Sequence, residues 1–331
     1  MLRLSVLDQS PAIHGRGEDA SIRDTLALAE HCEALGYHRF WLSEHHGLPT
    51  IVGSAPEILM GAVAARTKRI RIGSAGVMLP HYSALKVAEQ FRVLEALAPG
   101  RIDLGVGRAP GGDMRIARAL NPHAMPGAED FPEQVVDLQG WTALDTHRGI
   151  TAHPRGPHAP QVWMLGSSDY GARLAAHLGL PYAFAYFFTD GQGAEQAIAL
   201  YRATYRPSER HPTPQATLCV WALAAERAAD AWHASLSREH WRMGRMRGRL
   251  EPLQDPDTIA AQGFRDEDTA ALQAMRAKAF VGDARQVADQ LRALAAAFEL
   301  DELVINSWSY DPAVRRRSYA LLADAFELAR T

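Results

Sequence analysis

The chain has 331 residues, 47% of them hydrophobic, and a net charge of −3 with the histidines neutral. That length suits one large α/β barrel or two ordinary domains, and the near-neutral balance gives no global pull toward nucleic acid or an anionic membrane. The two cysteines, Cys32 and Cys219, form no CxxC pair, which argues against a cysteine zinc site, a redox dithiol or a disulfide framework and fits a reducing cytoplasm.

Leu2 to Leu7 reads as a first strand, with no signal-peptide pattern ahead of it, and no apolar run anywhere approaches the roughly 20 residues of a bilayer span. Ser21 to Leu35 reads as a helix capped by Ser21 and stopped at Gly36. His38 to Ser43 is a second strand, and Pro56 to Thr67 a helix with Ser54 ahead of it as cap and Pro56 in its first turn. Ile70 to Ala75 (strand), Ser83 to Ala98 (helix), Ile102 to Val106 (strand) and Pro132 to Leu144 (helix) follow. Then come Gln161 to Leu165 (strand), Tyr170 to Leu178 (helix), Tyr182 to Tyr186 (strand) and Gly193 to Tyr205 (helix). Ala216 to Leu223 is a seventh strand, Glu302 to Ser307 an eighth, and Pro312 to Ala329 a last helix. Eight such alternations predict parallel strands with helical crossovers, closed into a single (β/α)₈ barrel spanning residues 1–331. One stretch breaks the rhythm. Between strand seven and a helix at Ala284 to Ala297 lies an insertion with a helical, arginine-rich part, Arg227 to Arg249, and a Pro- and acid-rich middle, Leu250 to Thr269. It falls on the C-terminal, active face of such a barrel and reads equally as a lid or a surface excursion. The arginines at Arg242–Arg249 and Arg315–Arg317 read as solvated helix faces.

Four motifs sit at strand ends. Trp41-Leu42-Ser43-Glu44-His45-His46 follows strand two. Histidine exchanges protons near neutral pH, so acid/base chemistry, a metal site or plain hydrogen-bonded loop histidines are all open; adjacent residues point apart on a strand and no HxH or HExxH is present, which disfavours metal. Gly73 to Pro80, around Ala75-Gly76, either lets the backbone approach a flat ligand or simply turns tightly at Gly76. Gly105-Val106-Gly107-Arg108 and the following Ala109 to Gly112 lack the Gly-X-Gly-X-X-Gly spacing; what remains is an arginine suited to a phosphate or a ring carbonyl. Gly166-Ser167-Ser168 ends a strand where a helix begins, which makes either a phosphate site or a plain cap. Of the aromatics Trp41, Tyr82, Trp163, Phe184, Tyr186 and Trp221, some can line an apolar pocket, though strand aromatics are mostly core.

In this order and on these strand ends, the motifs resemble those of the luciferase-like monooxygenases. Further runs of that pattern stand at Leu7–Pro11, Val77–Pro80, Leu85–Phe91, Gly100–Gly111 and Ser318–Phe326. The resemblance implies His45 as acid/base beside the flavin ring. Glu44, Ala75 and Gly76 (the last two joined by a non-proline cis peptide), Arg108, Gly166, Ser167, Ser168 and Tyr170 would bind the cofactor. It implies reduced FMN from a separate flavin reductase, O₂ and a small organic substrate as partners, a homodimer, and no metal. A deazaflavin-dependent hydride-transfer enzyme and a non-catalytic flavin-binding protein are the alternatives. His46-Gly47-Leu48-Pro49 departs from the pattern on the substrate side, and the segment Asn121 to Ala128, with His123, Met125 and Pro126, is also individual to this chain.

Overall fold

The computed structural model describes residues 2–108, 114–122, 130–143 and 146–330. Nine parallel strands form the sheet: β1 (Arg3–Asp8), β2 (Arg39–Leu42), β3 (Arg71–Met78), β4 (Ile102–Gly107), β5 (Gln161–Gly166), β6 (Tyr182–Phe184), β7 (Ala216–Ala225), β8 (Phe280–Asp283) and β9 (Glu302–Asn306). The pairing runs β1 through β7 in order, then β7 to β9 and β9 back to β1, so eight strands close a TIM barrel. The ninth, β8, falls inside the stretch read as an insertion. It pairs only with Ala222–Ala225, the part of β7 beyond its contact with β9 at Leu218–Trp221. Four residues, Phe-Val-Gly-Asp, are too short to carry a period, so β8 has no sequence signature.

Alternation along the strands builds two cores. Outward-facing Val6, Phe40, Ile72, Leu104, Val162, Leu218 and Ile305 pack against the helices. Inward-facing Leu7, Trp41, Trp163, Ala183, Cys219 and Val304 fill the lumen. Below them, at the strand starts, lies a buried polar layer. Arg39 donates to Asp103 and to Glu302, both at 2.8 Å; the Trp41 indole donates to Asp103 at 3.0 Å, and Ser5 to Glu302 at 2.5 Å.

Local chemistry explains most helix ends and some departures. Ser83 caps the helix Ala84–Leu97 by accepting from the Lys86 N–H, and Gly179 ends Asp169–Leu178 in a left-handed conformation. Ser21 is not a cap: the helix Glu18–Ala34 begins three residues earlier, and the Ser21 hydroxyl donates to the Pro11 carbonyl. Ser54 also misses, since Ala55 holds the cap position ahead of Pro56. The sixth strand stops at Phe184, and Tyr186–Thr189 turns into a short helix. Arg315 is not on a solvated face; it is buried against Asp8 at 2.5 Å. No helix among the described residues is long and apolar enough to cross a membrane.

The insertion packs over one side of the barrel's C-terminal end. Its long helix, Ala228–Met246, packs on β7 and β8. Arg242 makes a two-point ion pair with Asp190 beyond β6, at 2.7 Å each. Trp241 stacks edge-on against Trp308 beyond β9, and Leu253 exchanges backbone hydrogen bonds with Ala12 and His14 beyond β1. The excursion is therefore tied to three different strand ends.

Candidate active site

The C-terminal ends of β1 to β7 enclose a cavity of about 790 Å³. All the residues singled out at the four motifs line it: Glu44 and His45 beyond β2, Ala75 and Gly76 on β3, Arg108 beyond β4, and Gly166, Ser167, Ser168 and Tyr170 at the end of β5. Residues 109–112 of the third motif, and His123, Met125 and Pro126, fall outside the described residues.

One wall is flat. The β3–β4 register slips between Ser74 and Val77, and the Ala75–Gly76 peptide within that slip is cis. No side chain is tolerated there: a Cβ on Gly76 would stand 2.3 Å from Leu165 Cδ1 and 2.7 Å from the Gly105 carbonyl oxygen. Gly105 is as tightly held, its Cβ falling 2.2 Å from the Ser74 carbonyl oxygen.

The opposite end is a polar cradle. Ser168 precedes the helix Asp169–Leu178 and its side chain makes no cap hydrogen bond; Ser167 and Ser168 are exposed and line the cavity where that helix begins. The Arg108 guanidinium lies 3.9 Å over the Tyr170 ring beside them. Helix-N-terminal N–H groups, hydroxyls and a guanidinium are donors of the kind a phosphate accepts from.

His45 lines the same cavity. Its backbone N–H donates to Gly53 at 3.0 Å, and Ser43 Oγ lies 3.2 Å from its Nδ1. Burial, then His46 and Arg245, pushes the imidazole down to about 4, so the ring is neutral at pH 7. His46 is different. It pairs with Glu44 at 2.7 Å, and Glu44 also accepts from the Tyr82 hydroxyl at 2.6 Å and the Met78 N–H at 3.0 Å. Both Glu44 oxygens are thus engaged in fixing the β3 wall and His46. Among the described residues no group of three His, Cys, Asp or Glu is arranged to hold a metal ion.

Several lining residues escaped the sequence reading: Gln9, Met78, Phe187, Phe188 and Cys219. Phe187 and Phe188 leave β6 in a short helix that looks like continued strand in the sequence. Gln9 lies in the Leu7–Pro11 run, but nothing local marks its side chain as cavity-facing. Of the strand aromatics, Trp41 and Phe184 reach the cavity, while Trp163 and Trp221 are buried in inner clusters.

His38, His45 and His211 share a property that affects the whole fold. Burial pushes each down to about 4 from an ordinary value of 6.5. The unfolded chain therefore binds more protons than the folded one between those limits. Their contribution is complete above pH 6.5 and is lost as pH falls toward 4. Each proton steepens the fall by about 1.4 kcal/mol per pH unit, so urea melts across this range should show stability dropping at more than that single-proton slope near pH 5. Flat stability from neutrality to pH 4.5 would contradict this.

A closed parallel barrel with one large cavity at the C-terminal ends of its strands is the arrangement of a TIM-barrel enzyme. The chain belongs to the luciferase-like monooxygenases: that family's sequence profile matches residues 2–298. It is 41% identical to the uncharacterized protein YwcH of Bacillus subtilis (strain 168), covering 98% of this chain and 99% of the relative. It is 36% identical to an N-acetyl-S-alkylcysteine monooxygenase of the same organism, covering all of both chains. Among solved structures, apo-MsnO8 superposes with a TM-score of 0.94 at 36% identity over the whole of both chains. The FMN complex of the oxygenating constituent of 3,6-diketocamphane monooxygenase from Pseudomonas putida shares the fold (TM-score 0.71, 17% identity, 98% and 97% coverage).

Proposed function

We propose that this enzyme is an FMN-dependent monooxygenase that takes reduced FMN from a separate flavin reductase and uses O₂ to oxygenate a small organic substrate. The observation that carries the reading is the pairing of a flat wall at Ala75–Gly76 with a phosphate cradle at Gly166–Ser168 and Arg108 in one cavity. The volume suits a flavin plus a substrate, within the usual ~300–1,000 Å³ of cofactor pockets. The FMN complex known for the diketocamphane enzyme supports the choice of flavin. Bound reduced flavin supplies the activation of O₂ and the transfer of one oxygen atom.

The chain's own residues do the rest. The helix N-terminus at Asp169, the Ser167 and Ser168 hydroxyls and Arg108 hold the phosphate. Tyr170 keeps the Arg108 guanidinium flat against the rim. Ala75 and Gly76 let the ring system lie against the backbone. Glu44, with both oxygens engaged, positions His46 and the Met78 N–H instead of reacting. His45, neutral and half-open to the cavity, accepts or returns the proton that oxygen transfer requires. The insertion, seated on the ends of β6, β9 and β1, shields that side of the site from water.

The test is anaerobic loading with reduced FMN followed by mixing with ¹⁸O₂ and a substrate panel. One labelled oxygen atom in product is expected; turnover only with a deazaflavin, or no label in any product, overturns the reading. The cradle has its own check. Replacing Ser167 and Ser168 together by Ala should weaken FMN binding about tenfold or more, two donor bonds to a charged group being lost. Riboflavin, which lacks the phosphate, should bind both forms alike.

A further inference from the structure

The Leu7–Pro11 run carries a side chain that the proposed chemistry leaves without a role. Leu7 faces the lumen, and Asp8 turns outward to the helices, so Gln9 turns inward again and lines the cavity. A polar network pins this stretch. Asp8 accepts from the Ser10 N–H at 3.2 Å, from the Thr25 hydroxyl and from Arg315 at 2.5 Å. The Ser10 hydroxyl lies 2.8 Å from Thr25 Oγ1. These bonds hold Ser10 in a left-handed conformation, φ 47°, that residues with a Cβ seldom adopt. The backbone on either side of Gln9 is therefore fixed, and so is the direction its side chain takes.

The amide is fixed as well. Asn306 on β9 donates to Gln9 Oε1 at 2.6 Å, and Gln9 is only 3% exposed. Turning both amides over would seal the NH₂ group of neither residue but the donors of Asn306 away from every acceptor, a costlier orphan than the Asn306 Oδ1 that is buried without a partner. Gln9 Nε2 makes no hydrogen bond among the described residues, yet it is not one of the atoms sealed from solvent, so its N–H groups open into the cavity that Gln9 lines. A few placed polar groups in a mainly apolar pocket are what orient its ligand.

The neighbours say which part of the cavity this is. β1 and β2 stay in register to Asp8 and Leu42, and the Ser43 N–H donates to the Asp8 carbonyl, which sets Gln9 beside Ser43. Ser43 Oγ braces His45 Nδ1, and the Gly53 carbonyl accepts from the His45 N–H. Gly53 packs on both strand ends: a Cβ there would stand 3.4 Å from the Ser43 carbonyl oxygen and 3.6 Å from that of Gln9. In the strand order, β2 with His45 separates β1 from the flat wall on β3, while Gly166 to Ser168 follow β5, across the barrel from β1. Gln9 is thus on the His45 side of the cavity and away from the cradle.

We propose that Gln9 orients the substrate: its Nε2 donates a hydrogen bond to an uncharged acceptor oxygen of the substrate, whose apolar part lies on Leu7, Trp41 and Phe187 and whose reacting atom is set toward His45. An amide donor suits a neutral oxygen, because a carboxylate brought to this buried position would need a cation to offset its desolvation. The inference rests on the monooxygenase reading for the chemistry at His45 and adds to it the group that recognises the substrate.

The test is binding to the intact protein without flavin or O₂, which keeps it apart from the oxygenation assay. The probes are acetophenone, cyclohexanone and benzylacetone, each beside the hydrocarbon that lacks the oxygen. In equilibrium dialysis at least one ketone should bind wild type about three- to tenfold more tightly than Gln9→Met, the worth of one neutral hydrogen bond, while its hydrocarbon binds both alike. Gln9→Glu, which keeps the acceptor for Asn306 and lacks the donor when ionised, should lose the ketone in the same way. The infrared carbonyl stretch of the bound ketone should lie below its value in hexane in wild type and return to that value in Gln9→Met, a change that a merely structural Gln9 would not produce. FMN affinity should stay unchanged in both variants. Ketones that bind wild type and variants alike, no binding by any ketone, or a bound carbonyl with its hexane frequency in wild type would overturn the proposal. Loss of FMN by the variants would overturn it too, by giving Gln9 to the flavin. Should neither variant fold, the wild-type carbonyl frequency alone decides. Ketone recognition through Gln9 without any labelled product from ¹⁸O₂ sinks the monooxygenase reading and leaves the binding role standing.

Discussion

His45→Ala is expected to lower turnover by about 10²–10⁴-fold, the usual worth of a positioned acid/base, while FMN affinity stays close to wild type. The separation follows from position. On the proposed reading the phosphate sits at Ser167, Ser168 and Arg108 and the ring against Ala75–Gly76, and the side-chain hydrogen bond of the imidazole is to Ser43, not to any of these. His45 itself is fixed by its backbone bond to Gly53 and by Ser43, so its loss leaves the wall in place. The pH profile gives an independent reading. With the imidazole held down to about 4, first by burial, activity should show no acid limb from this group until pH approaches that value. A variant that keeps wild-type turnover, or one that loses FMN binding in step with rate, would remove His45 from the chemistry.

Asp103→Ala should cost about 3–5 kcal/mol, the range seen when one partner of a buried ion pair is deleted. Asp103 is fully buried at the floor of the barrel. It accepts from Arg39 at 2.8 Å, from Arg71 at 2.5 Å and from the Trp41 indole at 3.0 Å. Burial alone would raise its carboxyl, but Arg39 and Arg71 hold it below the ordinary value, so the charged form is the one built in. Deletion leaves Arg39 with Glu302 and, at 3.3 Å, the Gln161 side chain, and frees the Trp41 ring that lines the cavity. Unfolding entropy scales with length, so this loss amounts to a drop of about 4–7 °C in melting temperature. Calorimetry of the variant decides it: a shift under one degree would mean that the polar layer is solvated filler. Weakened flavin binding should accompany the drop, because Trp41 lies over both Asp103 and the cavity.

Much of this was legible before any coordinates. Periodicity marks the eight barrel strands because each is bounded by Gly, Pro or a helix cap, and it separates the outer core, where Val6, Phe40 and Ile72 recur on one face. The strand-end motifs marked the candidate site because a parallel barrel puts its ligand where strands end, so residues following β2, β3, β4 and β5 share one cavity whatever their distance in sequence. What misled was local context. Ser21 and Ser54 look like caps, yet a helix starts where the chain first turns, and Gly17 and Ala55 hold those places. Arg315 looks like one of three surface arginines until Asp8, more than three hundred residues away, pairs with it.

By itself, the order of residues determined the barrel, its open face and the positions of His45, Arg108 and the Gly-Ser-Ser cradle, since these depend on short-range pattern and on where strands stop. Only the tertiary structure decided that Glu44 is a brace and not a free carboxylate, that β8 extends the sheet outside the barrel, and that the insertion packs over the ends of β6, β9 and β1. Each of those depends on which distant side chain arrives at the same point, and pairing across a closed barrel has no period along the chain.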